Sequence, residues 1–293
     1  IAAALDAGFP TTVTMHDYGL ACPIAILYDD PSQAICHRTP LSLDCWRAPC
    51  MGPDAYRLKL LRTLRVLGQR TVLRVDRRLR TVIAVSKFCA RIMRPFLPGK
   101  PSIVVLPNPV DAIRGPAARP ADARAVLWAG NMTPIKDSIL AARAAARADM
   151  PITFAGDGPL REETARANPE ATMLGWLDAE GTDAAMRAAR AFVLTSRWYE
   201  TASLVTLEAM ARGIPPIVPD QCAATEWFED GLEGLVYNTS DEDSLVRALE
   251  QIQDPVRVAE LGQNAHERYW SDPLTMSRHL DGLEQLYGEL LAS

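Results

Sequence analysis

A chain of 293 residues is long enough for about two domains, each able to bury its own core. With 48% hydrophobic and 23% charged residues, and no uncharged run near the roughly 20 residues that span a bilayer, the bulk of the chain is neither disordered nor membrane-spanning. The net charge of -5, from 31 basic and 36 acidic residues, argues against a dedicated nucleic-acid binder, because neutralising phosphates needs surplus cations.

The opening Ile1-Ala-Ala-Ala-Leu5-Asp6 is neither a start methionine nor a secretory apolar stretch, so the chain reads as a fragment whose true N-terminus is missing. Short apolar, β-branched runs at 11–15, 81–85, 103–106, 125–129, 152–155, 191–195 and 214–219 alternate with helical patterns. That rhythm predicts βαβ units winding parallel sheets. After the first run, Cys22, Cys36, Cys45 and Cys50 gather around His37 without a C-x-x-C pair. Free structural thiols in a reduced setting come first, with metal or redox pairing the other reading.

Between 57 and 80 stand nine Lys or Arg and one acid, Asp76, with Leu58, Leu61, Leu64 and Leu67 at helical spacing. The pattern predicts one long helix packed on its leucine side, its basic face either solvated or meeting an anionic membrane surface or phosphate-bearing acceptor. From Pro107 to Pro120 four prolines and a glycine exclude helix and central strand, and 107–124 is the expected domain linker. The tail from Asp254 reads as two further helices.

In open parallel sheets ligands sit outside the carboxyl ends of the strands. The richest such segment runs from Tyr199 through Glu200-Thr-Ala-Ser203 to Glu208, Gly213 and Pro219. It reads as loop, helix, glycine stop and strand. Thr201 or Ser203 can cap the helix, leaving the amides of about 203–206 to hold a phosphate without a metal ion. Glu200 and Glu208 flank that end, and a carboxylate is a matched acceptor for neighbouring sugar hydroxyls. Asp241-Glu-Asp243, an Asp-x-Asp, follows Asn238-Thr-Ser240 and opens a helix, where acids complement the dipole, and no metal is implied.

The segment Trp198-Tyr-Glu-Thr-Ala-Ser-Leu-Val-Thr-Leu-Glu-Ala-Met-Ala-Arg-Gly-Ile-Pro resembles the Glu-x7-Glu signature of the retaining glycosyltransferases of family 4. Thr14-Met-His-Asp-Tyr18, Val85-Ser-Lys-Phe88, Leu106-Pro-Asn-Pro-Val-Asp111, Ala129-Gly-Asn-Met-Thr-Pro-Ile-Lys136, Ala155-Gly-Asp-Gly-Pro159, Leu174-Gly-Trp176 and Glu226-Trp-Phe-Glu-Asp-Gly231 agree in the expected order. The likeness covers nearly the whole chain. It implies an α/β fold of two Rossmann-like domains (GT-B), parallel sheets flanked by helices. The partial N-terminal acceptor-side domain would be 1–106, lacking its first βαβ portion, and the nucleotide-sugar-binding domain 125–271. A last helix within 272–293 would cross back to the first domain.

The resemblance further implies that Glu200 positions the donor sugar, Lys136 neutralises the leaving diphosphate, and His16 stands near the transferred sugar. Donor contacts would come from Gly130, Asn131, Thr201, Ser203, Leu204, Val205 and Glu208, with Gly175 and Trp176 at the nucleobase. The donor would be a UDP- or GDP-sugar, with no cofactor and no metal. The acceptor would be a glycan or lipid-linked hydroxyl, and the protein cytoplasmic, at the inner face of the membrane through 57–80. Two positions depart from the family: Asn131 stands where an arginine is usual, and Thr201-Ala-Ser203 replaces a glycine-rich tail. A non-catalytic nucleotide-sugar binder of the same fold is the alternative reading.

Overall fold

A computed structural model of the chain describes residues 1–292, which divide into two compact units. The first joins Ile1–Pro109 to the chain from Leu274 onward, and the second is Val110–Pro273. The expected linker is therefore shared out: 107–109 falls in the first unit and 110–124 in the second. There the amide of Ala118 donates to the carbonyl of Arg212, and Pro120 lies against Gly262. Proline-rich backbone without its own ladder is held by the elements beside it.

The first unit runs α1 (Ala2–Asp6), β1 (Thr14–Met15), the hairpin strands β2 (Tyr28–Asp29) and β3 (Ala34–Ile35), and α2 (Leu43–Arg47). It continues through α3 (Tyr56–Thr71), α4 (Val75–Arg78), β4 (Thr81–Ala84), α5 (Lys87–Met93) and β5 (Ser102–Val105). Its parallel sheet has the order β1-β4-β5, so β4 is central, and Val82, Ile83 and Ala84 are accordingly buried. Ser86 accepts from the amide of Cys89 and so starts α5 where the strand stops.

The expected single helix over 57–80 is two helices. Between α3 and α4 the backbone breaks, and Arg74 takes a left-handed conformation (φ 48°). The leucines are not the packed face either. Lys59, Thr63 and Val66 are buried, whereas Leu58, Leu61 and Leu64 are exposed. The cause is the end of α2 that α3 covers: the Lys59 ammonium donates to the carbonyls of Cys45 and Trp46, in the open last turn of that helix, supplying donors that no leucine could.

The second unit runs β6 (Val126–Ala129), α6 (Ser138–Arg147), β7 (Ile152–Ala155), α7 (Arg161–Ala167), β8 (Thr172–Gly175), α8 (Ala179–Arg187) and β9 (Phe192–Val193). Then follow α9 (Leu204–Ala211), β10 (Pro216–Pro219), β11 (Leu235–Tyr237), α10 (Glu242–Gln251) and α11 (Pro255–Ser271). All six strands are parallel in the order β11-β10-β9-β6-β7-β8. Trp128, Phe154, Val193 and Ile217 fill the core with Leu140, Leu245 and Leu261 from the helices. Asp241 caps α10 as expected, and Arg143, Arg147 and Arg247 pair with the Asp241-Glu-Asp243 acids.

The chain closes with α12 (Met276–Ala292). This helix belongs to the first unit, where His279 Nδ1 lies 2.8 Å from the carbonyl oxygen of Pro107 and Gly282 abuts Leu106. No described helix is long and apolar enough to cross a membrane.

Candidate active site

The strand order of the second unit reverses between β6 and β9, and that switch point is where an open parallel sheet leaves its crevice. The loops that follow these two strands carry Gly130, Asn131 and Lys136 on one side and Thr195 to Ser203 on the other. They are stitched together. Thr195 Oγ1 accepts from the Trp128 indole at 2.9 Å and contacts the carbonyl oxygens of Lys136 (2.9 Å) and Asp137 (2.8 Å). The Arg197 amide donates to the carbonyl of Ile135, and its guanidinium pairs with Asp137, which also caps α6.

These stitches bring Lys136 against Glu200. The ammonium and the Ser196 hydroxyl both donate to Glu200 Oε1, while Oε2 has no partner among the described residues. Glu200 is buried, and the lysine side chain is partly exposed. Such a pair, inside yet open on one side, is far less screened than a surface ion pair.

Just beyond Glu200, α9 begins bare. Ser203 occupies the cap position but its side chain makes no cap; the hydroxyl instead bonds Thr206 Oγ1 at 2.8 Å. The Thr206 amide donates back to the Ser203 carbonyl, so the open donors narrow from the expected 203–206 to the amides of Ser203, Leu204 and Val205. Ser203 itself adopts φ 50°, the left-handed region that favours glycine. Thr201 is buried beside it.

Glu208 lies about one and a half turns into α9 from Ser203, roughly 7 Å along the axis. It shares no hydrogen bond or ion pair with Lys136 or Glu200. Burial pushes its carboxyl above the usual range, Arg212 opposes that shift, and Asp111 adds to it. Its carboxyl has no hydrogen-bond partner among the described residues, which leaves it open to a hydroxyl donor.

A second loop group lies across β7 and β8. A side chain at Gly156 would overlap the carbonyl oxygen of Gly130, and the Gly156 amide donates to the Gly175 carbonyl at 2.7 Å. Glycine is therefore needed here for the loops after β6, β7 and β8 to touch. Trp176, next in the chain, is 77% exposed. One Arg161 amino group, Nη1, is buried without a hydrogen bond, 3.7 Å from where a Gly175 side chain would begin. Ser196 is flagged in the sequence as the first residue after a strand, but Arg161 and Thr195 carry no such signal. An acidic neighbour or a glycine-rich loop flags a site, whereas these residues act through contacts across the sheet.

His16 stands exposed after β1, in the first unit. Also there, Cys22, Cys36, Cys45 and Cys50 line one small cavity of about 20 Å³ with Arg38 and Lys59. All are free thiols, and burial pushes Cys22 up and Cys50 to about 11. Among the described residues no three acidic, His or Cys side chains are arranged to hold a metal ion.

Residues 123–254 match the family model described as Glycosyl transferases group 1. Among solved structures, sucrose-phosphate synthase from Thermosynechococcus elongatus is similar with a TM-score of 0.71 at 20% identity, over 97% of this chain and 68% of that one. HepE from Anabaena, in complex with UDP and glucose, is similar at 0.69 and 17%, over 98% of this chain and 74% of that one. TarM from S. aureus, in complex with fondaparinux, alpha-GlcNAc-glycerol and UDP, reaches 0.63 and 16%, over 77% of this chain and 46% of that one. This chain thus spans less than half of TarM. No curated protein matches it in sequence. The fold class is that of the GT-B glycosyltransferases, α/β with parallel sheets flanked by helices, and the matched segment coincides with the unit that holds the Lys136–Glu200 pair.

Proposed function

We propose that the chain is the donor-binding part of a retaining, metal-independent glycosyltransferase that moves a hexosyl group from a UDP- or GDP-sugar to a hydroxyl on a glycan or lipid-linked acceptor. One observation carries the reading: an ammonium pairs with a buried carboxylate at the sheet's switch point, and a helix whose first amides are bare begins four residues after that carboxylate. A diphosphate needs fixed positive charge as its bond to the sugar breaks, and Lys136 with the amides of Ser203, Leu204 and Val205 supplies it. Glu200 Oε2 then accepts from a sugar hydroxyl, and Glu208 from the ribose. Trp176 offers a stacking face to the base, and Arg161 Nη1, which makes no hydrogen bond and only a 3.9 Å ion pair with Asp157, favours a base with a carbonyl oxygen, as uracil and guanine have. HepE and TarM holding UDP support a nucleotide in this fold.

The test is a thermal-shift series with UDP-, GDP- and ADP-sugars, followed by donor hydrolysis or transfer. UDP or GDP compounds should stabilise the protein, and Lys136→Ala should abolish the shift. An equal response to every nucleotide, or none, defeats the reading.

A non-catalytic nucleotide-sugar binder is favoured by two residues: Asn131, which removes one expected phosphate cation, and Ser203, whose side chain occupies a glycine-like backbone. Binding without turnover, in a chain where Ser203→Gly and Asn131→Arg together restore turnover, would support it.

A further inference from the structure

The outward face of α3 poses a problem of its own, independent of the donor site. Leu58, Leu61 and Leu64 are 46%, 64% and 53% exposed, and Val72, eleven residues and almost exactly three turns beyond Leu61, is 78% exposed. A side chain at Gly68, on the same face, would meet nothing within 4 Å. The helix thus buries a lysine and shows three of its five leucines to solvent, Leu60 and Leu67 being half-buried, which is the reverse of an ordinary amphipathic helix.

Charge says what covers such a face. Arg57 and Arg65 are exposed among the leucines, Arg74 and Arg77 follow in the adjoining turn and α4, and Arg80 stands just before β4. None of these five makes an ion pair among the described residues, whereas Arg70 and Arg78 are held by Asp76 and Asp6. Residues 57–80 carry nine cations and one acid, a net +8, so the remaining chain carries -5 - 8 = -13. A second copy of the chain applied through this face would set +8 against +8, which opposes self-association. A nucleic acid would take the arginines and leave the leucines wet. An interface that accepts aliphatic side chains to shallow depth while its phosphates meet guanidinium groups satisfies both.

We propose that the Leu58–Leu61–Leu64 face of α3, continued by Val72 and surrounded by unpaired arginines, docks the first unit on an anionic lipid bilayer. The leucines enter the boundary between headgroups and acyl chains, and the arginines stay at the level of the lipid phosphates. Buried Lys59 anchors the opposite side of the helix to the last turn of α2, keeping these leucines turned outward.

The experiment is co-sedimentation of the whole chain with vesicles of phosphatidylcholine, with and without phosphatidylglycerol, at low and high salt. Binding should require phosphatidylglycerol and weaken as salt rises. Leu61→Ser should lower partitioning about tenfold. Arg57→Gln and Arg65→Gln should lower it about fivefold each. Arg124→Gln, an exposed arginine in the other unit, should leave it unchanged. All four side chains project into solvent, so melting curves matching the parent will show that folding is intact. Equal binding to neutral vesicles, no binding to either, or insensitivity to Leu61→Ser overturns the proposal. So does a soluble dimer that Leu61→Ser dissociates.

Discussion

At the level of single residues, the Lys136–Glu200 contact has a structural role and, under the proposed function, a chemical one, and substitution can separate the two. Lys136→Met leaves a buried carboxylate unpaired and should cost about 2 kcal/mol, less than a fully buried pair because the lysine is partly exposed. Adding Glu200→Gln removes the orphan charge and should recover most of that stability, read by urea denaturation, while donor turnover stays down by about 10²-fold or more. Recovery of turnover along with stability would make the pair a structural brace only. Glu208 is the converse case. Its carboxyl is raised above the ordinary 4.5, so it favours the folded state at low pH, and that contribution is withdrawn as pH rises through the raised value. Glu208→Gln should therefore melt higher than the parent at neutral pH, the gap closing toward about pH 4 where the parent is protonated, and it should bind nucleotide more weakly. A lower melting temperature at neutral pH would mean that the carboxylate has a partner in solution.

Elements explain why these residues meet. Gly156→Ala is expected to force the loops after β6 and β7 apart, because the methyl group would occupy the space of the Gly130 oxygen at a backbone φ of 142°. A loss of about 3 kcal/mol with reduced nucleotide response is the expected outcome, measured by melting with and without UDP. The central strands were legible because buried parallel strands read as short apolar runs: 152–155 matches β7 residue for residue, and 126–129 was predicted to within one. The edge strand β8, with its alternately exposed residues, and three-residue β11 left no such run. Periodicity also failed over 57–80. It located leucines on one face but carried no sign of which face the α2 carbonyls of Cys45 and Trp46 would claim. Likewise Lys136 and Glu200 are each legible beside their motifs, yet their contact spans 64 positions and depends on Thr195, which reads only as the end of a strand, and on Ser196, whose strand-end position does not name its partner.

Across the whole molecule, the second unit is continuous in sequence and has a complete six-stranded sheet with its own core, while the first is assembled from both ends of the chain. A fragment of 110–273 should therefore fold alone and keep the nucleotide-dependent thermal shift, since apart from His16 every proposed donor residue lies within it. A fragment that folds yet ignores nucleotides would place essential contacts outside it. Removing α12 should instead damage the first unit, whose Pro107 carbonyl and Leu106 side chain it contacts.

Under the proposed function, the carboxylate that already engages Lys136 has a kinetic meaning. A site whose cation is held by a resident anion meets each incoming diphosphate as an exchange of partners rather than the filling of a vacancy. The same internal rival stands ready at the end of the cycle, able to reclaim the ammonium and help eject the spent nucleotide. On this account, weakening the rival should lengthen product residence, so that Glu200→Gln holds free UDP longer than the parent in a stopped-flow chase.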